Sequence, residues 1–201
     1  MSVSTETFTG GFSDPVFDGQ SVFKAIMDGT ARPGTIRTVG PQIAPPAPLG
    51  IAAGAIMLTL CDHETPVWLS AGLTKSALPA WLAFNTGASL GEKTEARFVF
   101  LEGGAMLSSF SQFSAGTQEY PDRSATIVLE VAALTGGKEL ALSGPGIKTV
   151  AMVSPVGLPD SFLRLWNDNR AIFPRGADVI LTSGESFICL PRTTKITATE
   201  L

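Results

Sequence analysis

The stretch SATIVLEVAAL, residues 124–134, decides the fold class. Thr126, Ile127, Val128, Leu129 and Val131 are β-branched or large apolar residues, the types that suit a strand. Polar residues do not alternate with them, as they would on a strand with one wet face. A strand apolar on both sides belongs in a sheet covered on both faces.

Working outward, EARFVFLE (95–102), ADVILTS (177–183) and SFICLP (186–191) read the same way. TIRTV (35–39), TPVWLS (65–70) and ELALSGPGI (139–147) are further strands. Helical patterns interleave with them. SDPVFDGQSVFKAIMDGTARPG (13–34) spaces Val22, Phe23, Ile26 and Met27 for one helix face, with Asp18 or Ser21 as cap and Pro33 and Gly34 as stop. LGIAAGAIMLTLC (49–61) reads as a buried helix. It is shorter than the roughly 18–20 residues that span a bilayer, and its glycines and alanines let neighbours approach closely. SALPAWLAFNTG (76–87) is a helix with Ser76 as cap and Gly87 as stop. AMLSSFSQF (105–113) places Met106, Phe110 and Phe113 at helical spacing. PDSFLRLWNDNRAIF (159–173) puts Phe162, Leu165, Trp166 and Asn169 on one face. The proline-rich PQIAPPAPLG (41–50) is a stiff connection.

Helices alternating with apolar strands make an α/β layered domain. The brief SGE turn between the last two strands makes that pair antiparallel, so the expected sheet is mixed. The 201 residues fit one domain, with 1–13 as a flexible leader and 14–201 as the domain itself. Hydrophobic residues make up 44%, enough for a real core. The net charge of −4 offers no electrostatic case for nucleic acid. MSVSTETFTGGF has neither the cationic start nor the apolar core of a secretory signal. The expected location is cytoplasmic, without membrane association, and Cys61 and Cys189 are expected to be reduced, buried thiols.

Catalytic constellations are scarce. His63, in LCDHETPVW, is the only histidine. Cys61, Asp62, His63 and Glu64 are consecutive, so they point in different directions and make a poor metal site. A polar turn, with Asp62 or Thr65 bonding the local backbone, is the better reading. No GxSxG elbow supplies a nucleophile for His63. EGGAM (102–106) and SGPGIKT (143–149) match no phosphate-binding pattern, and Pro145 lacks the N–H a cradle would use. No lysine sits in a stretch that argues for burial. The expectation is therefore no catalytic residue, no metal ligand and no cofactor. Arg32 in TARPGT, Arg175 in FPRGAD and Arg192 in LPRTT each lie beside a proline on a restricted backbone. Arginine suits bidentate recognition of phosphate, phosphonate or carboxylate, so these three are the candidate anion or partner contacts.

FDGQSVFKAIMDGTARPG (17–34) resembles the start of the PhnH family of bacterial carbon–phosphorus lyase subunits, through Gln20, Phe23, Met27, Pro33 and Gly34. Lys24 replaces the family's usual Arg, and Gly29 its Ala. LTLCDHETPVWL (58–69), GTQEYPDRSATIVLEV (116–131), LSGPGI (142–147), FPRGADVILTS (173–183) and LPRTTKI (190–196) resemble later family blocks, in order, with Asp122 where Glu is usual. The resemblance implies a three-layer α/β/α domain similar to the large domain of type I pyridoxal-phosphate transferases, without their cofactor site. It implies a homodimer that joins PhnG, PhnI and PhnJ in a core complex. That complex serves alkylphosphonate catabolism by displacing adenine from ATP to give ribose 1-phosphonate 5-triphosphate. In the family, PhnI is thought to carry the nucleosidase-like step and PhnJ the radical cleavage. Two cysteines cannot hold the latter's iron–sulfur cluster. The implied role is a non-catalytic assembly subunit. The alternative is a subunit that itself binds phosphonate or nucleoside triphosphate through its arginine-bearing turns. A pyridoxal-phosphate enzyme would need a cofactor lysine that the sequence does not suggest.

Overall fold

The computed structural model describes residues 9–199. The expected leader falls outside the described residues over 1–8. Its end is held against the fold: the Trp81 indole N–H donates to the Thr9 carbonyl at 2.8 Å, and the Ala44 N–H to the Gly10 carbonyl at 3.0 Å.

Helix α1 runs Pro15–Ala31. Asp14 caps it, its Oδ1 accepting from the Val16 and Phe17 N–H groups at 3.1 Å each. Asp18 is not the cap but reaches back to accept from the Asp14 N–H at 3.0 Å, and Ser21 lies well inside the helix. Pro15, at the first helical position, has no N–H to leave unpaired, which moves the start ahead of the expected caps. The buried face is Val22, Ile26 and Gly29. Phe23 and Met27 are instead about half exposed, at 48% and 54%. Gly34, at φ +83°, turns the chain into strand β1 (Ile36–Thr38).

Helix α2 (Ile51–Leu60) is buried from Ala52 to Met57, as its composition suggests. A methyl group on Gly54 would lie 2.8 Å from Cβ and Cγ of Pro45, so the proline-rich connection packs directly on this helix. Strand β2 (Val67–Leu69), the short helix α3 (Ala71–Thr74) and helix α4 (Leu78–Thr86) follow. Ser76 accepts from the Leu78 N–H at 3.1 Å, and Gly87 ends α4. Strand β3 is Phe98–Leu101 and β4 is Thr126–Glu130. Between them AMLSSFSQF forms only one 3-10 turn, Phe110–Gln112, not the expected helix. Its serines divert the backbone: Ser109 Oγ accepts from the Ser111 N–H at 3.0 Å.

Strand β5 (Leu140–Ser143) pairs with β6 (Ala151–Val153) and β9 (Lys195–Ala198) in a separate antiparallel sheet ordered β6-β5-β9. Sequence reading does not find β6 or β9. Both are only three or four residues long, each with a single buried residue, so pairing rather than propensity makes them strands. Helix α5 (Phe162–Ala171) buries the expected Phe162, Leu165, Trp166 and Asn169. The Asn169 amide is satisfied by the Ala177 N–H and carbonyl at 2.8 and 2.9 Å.

Strands β7 (Asp178–Ser183) and β8 (Ser186–Leu190) complete the main sheet, ordered β1-β8-β7-β4-β3-β2. β2, β3, β4 and β7 are parallel, whereas β7–β8 and β8–β1 are antiparallel. The sheet is mixed, as expected. Val128 and Ile180 face α1, α2 and α4, while Ile127, Leu129, Val179 and Leu181 face α5 and the small sheet. No helix among the described residues is long and apolar enough to cross a membrane.

Replacing Gly54 with Val should lower stability by about 1–3 kcal/mol through overpacking against Pro45, measured by urea unfolding. An unchanged midpoint would mean that the proline segment is free to lift from α2.

Candidate functional site

The turn after α2 behaves as its sequence suggests. Asp62 Oδ1 accepts from the Thr65 hydroxyl at 2.6 Å and the Glu64 N–H at 3.0 Å. The Thr65 bond, then the Glu64 bond, hold the Asp62 carboxyl below its usual range. His63 is exposed and lies 3.9 Å from Glu64. Cys61 is buried, and desolvation, reinforced by Asp62, pushes its thiol well above the usual range. Cys189 is likewise pushed up by burial, to about 11. Neither thiol is poised as a nucleophile. Among the described residues no three His, Cys, Asp or Glu side chains form a metal-binding group.

Open α/β sheets take ligands at the carboxyl ends of their strands, often with an anion on a helix N-terminus. Here those positions hold the chain's own carboxylates. Glu130, ending β4, accepts from the Gly50 N–H at the start of α2 at 3.0 Å. Glu102, just after β3, accepts from the Gly72 N–H in the first turn of α3 at 3.1 Å. Its own N–H points at the buried Ser70 hydroxyl, 3.4 Å away. Burial raises the Glu130 carboxyl above its ordinary value, and the Gly50 bond opposes that only in part. Sequence reading does not single out either glutamate, because nothing local says that each meets a helix start.

A cavity of about 550 Å³ opens at the opposite edge of the sheet. Phe98, Thr126 and Asp178, which begin β3, β4 and β7, line it, as do Pro174 and Arg192. Arg192 follows β8 and carries the shortest salt bridge among the described residues. Its Nη2 donates to Asp178 Oδ2 at 2.6 Å and its Nε to Oδ1 at 3.2 Å. The Arg192 N–H donates to the same carboxylate at 2.7 Å. Nη1 donates to the carbonyls of Pro121 at 2.7 Å and Pro174 at 3.4 Å. One guanidinium thus pins together the turns before β4, before β7 and after β8.

Other turns close around this edge. Gly146, at φ +81°, is seated so tightly on the Ala31 carbonyl that a methyl there has no room. Gly34 abuts Leu142, Ala151 and Val153, and its N–H points at the Cys189 carbonyl at 3.4 Å. TARPG and LSGPG are therefore two halves of one contact. Arg32 and Arg175 are exposed and do not line the cavity that Arg192 borders. The three arginines are not brought to one cleft: Arg192 has a structural partner in Asp178, while Arg32 and Arg175 face solvent.

Comparison with known proteins identifies the family. Residues 10–197 match the family described as PhnH, bacterial phosphonate metabolism protein. A Rhizobium meliloti (strain 1021) protein named alpha-D-ribose 1-methylphosphonate 5-triphosphate synthase subunit PhnH is 57% identical over 197 residues, 98% of each chain. A Stutzerimonas stutzeri protein named putative C-P lyase subunit protein HtxG is 35% identical over 101 residues, covering 50% of this chain and 51% of its own.

Arg192→Ala should cost about 2–3 kcal/mol in denaturant unfolding, between the values for exposed and fully buried ion pairs, because it strands Asp178. Asp178→Asn in the same background should recover part of that loss, because it removes the stranded charge. Glu130→Gln tests the carboxyl edge. A raised folded value means that ionised Glu130 disfavours the fold, so its contribution worsens as pH climbs from the ordinary carboxylate range through the raised one. The variant should therefore melt higher than the parent at pH 8, with the gain fading toward pH 4. A pH-independent difference would show that the Gly50 hydrogen bond dominates instead.

Proposed function

The chain belongs to the PhnH family of bacterial phosphonate metabolism proteins, and from that premise we propose that it is an assembly subunit without an active site of its own. It serves a complex that converts ATP and an alkylphosphonate to a ribose 1-alkylphosphonate 5-triphosphate. Its partners in that complex are PhnG, PhnI and PhnJ; alone it forms a homodimer, in the cytoplasm. Its fold is a three-layer variant of the pyridoxal-phosphate transferase large domain, residues 14–201, in which the second sheet shares the outer layer with α5.

The 57% identity to a named synthase subunit, across nearly the whole of both chains, carries the reading. Two structural observations support the assembly role. Carboxylates of the chain itself occupy the helix starts at the sheet's carboxyl edge. The outer face of α1 also carries Val16, Phe23 and Met27 at spacings of seven and four residues, with Phe17 beside them. All four are exposed, Val16 at 74% and Phe17 at 70%. An apolar stripe of this kind is the composition of a protein interface. Arg32 and Arg175, both exposed, are available as charged contacts around such interfaces.

The test is reconstitution. Purified alone, the chain should release no adenine from ATP in the presence of methylphosphonate. Added to PhnG, PhnI and PhnJ, it should join the complex and be required for release. Turnover by the chain alone would overturn the assembly role.

A further inference from the structure

Among the described residues Arg37 and Arg170 are the arginines whose shielded Nε has no hydrogen-bond partner, and of the two Arg170 borders a cleft. Arg170 sits in the last turn of α5, half-buried. Among the described residues no carboxylate pairs with it. Its neighbour on the same helix, Arg164, has Asp168 at 3.4 Å, and Arg192 has Asp178. Arg170 lines a cleft of about 210 Å³ with Pro145, Phe173, Arg192 and Thr193. The Asp178 carboxylate is already bound by three donors of Arg192, so the cleft holds one uncompensated positive charge.

The surroundings identify what answers that charge. A site for a small oxyanion gathers several free donors. Here the guanidinium nitrogens of Arg192 are all engaged, Pro145 has no N–H, and Thr193 alone offers a hydroxyl. The walls are otherwise apolar. Phe173, 60% exposed, stands as a ridge between this cleft and the 550 Å³ cavity, which it also lines. A half-buried arginine beside an exposed aromatic ring and an open apolar cavity is the make-up of an interface hot spot.

We propose that this face, with Arg170 at its centre, docks another subunit of the phosphonate assembly. The docking segment presents a carboxylate side chain to Arg170 and a large apolar side chain to the cavity across Phe173. Complementary charge gives the segment its register, and the ring and cavity supply the buried area. The inference rests on the subunit reading above. It does not use the α1 stripe, Arg32 or Arg175, and Arg192 enters only as a wall of the cleft already engaged by Asp178.

The experiment measures binding of the full chain to the purified PhnG–PhnI–PhnJ assembly by interferometry, using Arg170→Ala, Arg170→Glu and Phe173→Ala. Arg164→Ala, on the exposed face of the same helix, is the control. Both Arg170 variants and Phe173→Ala should weaken binding by at least about tenfold, with Arg170→Glu the worst. Arg164→Ala should match the parent. Melting midpoints of the isolated variants should be unchanged, and Phe173→Ala, which alters only an exposed ring, carries the test if an Arg170 variant misfolds. Parent binding with no loss in Arg170→Glu or Phe173→Ala overturns this surface and leaves the subunit reading intact. No binding by the parent overturns both. A phosphate titration that stabilises the parent but not Arg170→Ala, with assembly unaffected, makes the cleft a small-oxyanion site and also overturns the proposal.

Discussion

Ile127, Leu129, Val179 and Leu181 point to one side of the main sheet, and Val128 and Ile180 to the other. β4 and β7 therefore need cover on both faces, and the rest of the architecture follows from that need. On one side α1, α2 and α4 supply Ile26, Ile56 and Trp81. On the other, a single helix brings Phe162, Leu165 and Trp166, and the area it leaves uncovered is filled by Leu140, Leu142 and Ile196 of the small sheet. Burying roughly 25 cal/mol of free energy per Å² of apolar surface on each face makes this the main stabilising term.

The two ends of that sheet have different chemistry. At the carboxyl end, Glu130 and Glu102 accept from backbone N–H groups at helix starts, where related architectures hold an anion. At the amino end, the Arg192–Asp178 pair and its carbonyl contacts tie three turns around an apolar cavity. Exposed apolar groups lie away from both ends, on the outer face of α1. Membership in a family of phosphonate metabolism proteins gives these features their biological setting.

Long apolar strands and strongly periodic helices were legible from sequence because their signal is local. α5 shows the same four buried residues that its spacing predicts, and α2 is as buried as its composition implies. Where two local signals competed, the spacing misled. Serines outweighed the aromatic periodicity of 105–113, and Pro15 with Asp14 began α1 earlier than Asp18 or Ser21 would have. Phe23 and Met27 fit a helix equally well on either face, and only packing chose the outer one.

By itself the sequence determined an α/β class, a mixed sheet, the two buried thiols and the family, since each depends on residue type and order along the chain. Tertiary structure decided the rest. It gave Arg192 to Asp178, left Arg170 without a counter-charge, placed glutamates on helix starts and made strands of β6 and β9. These are pairings between residues far apart in the chain. No local periodicity encodes them, because they exist only once the sheet order brings distant turns to one edge.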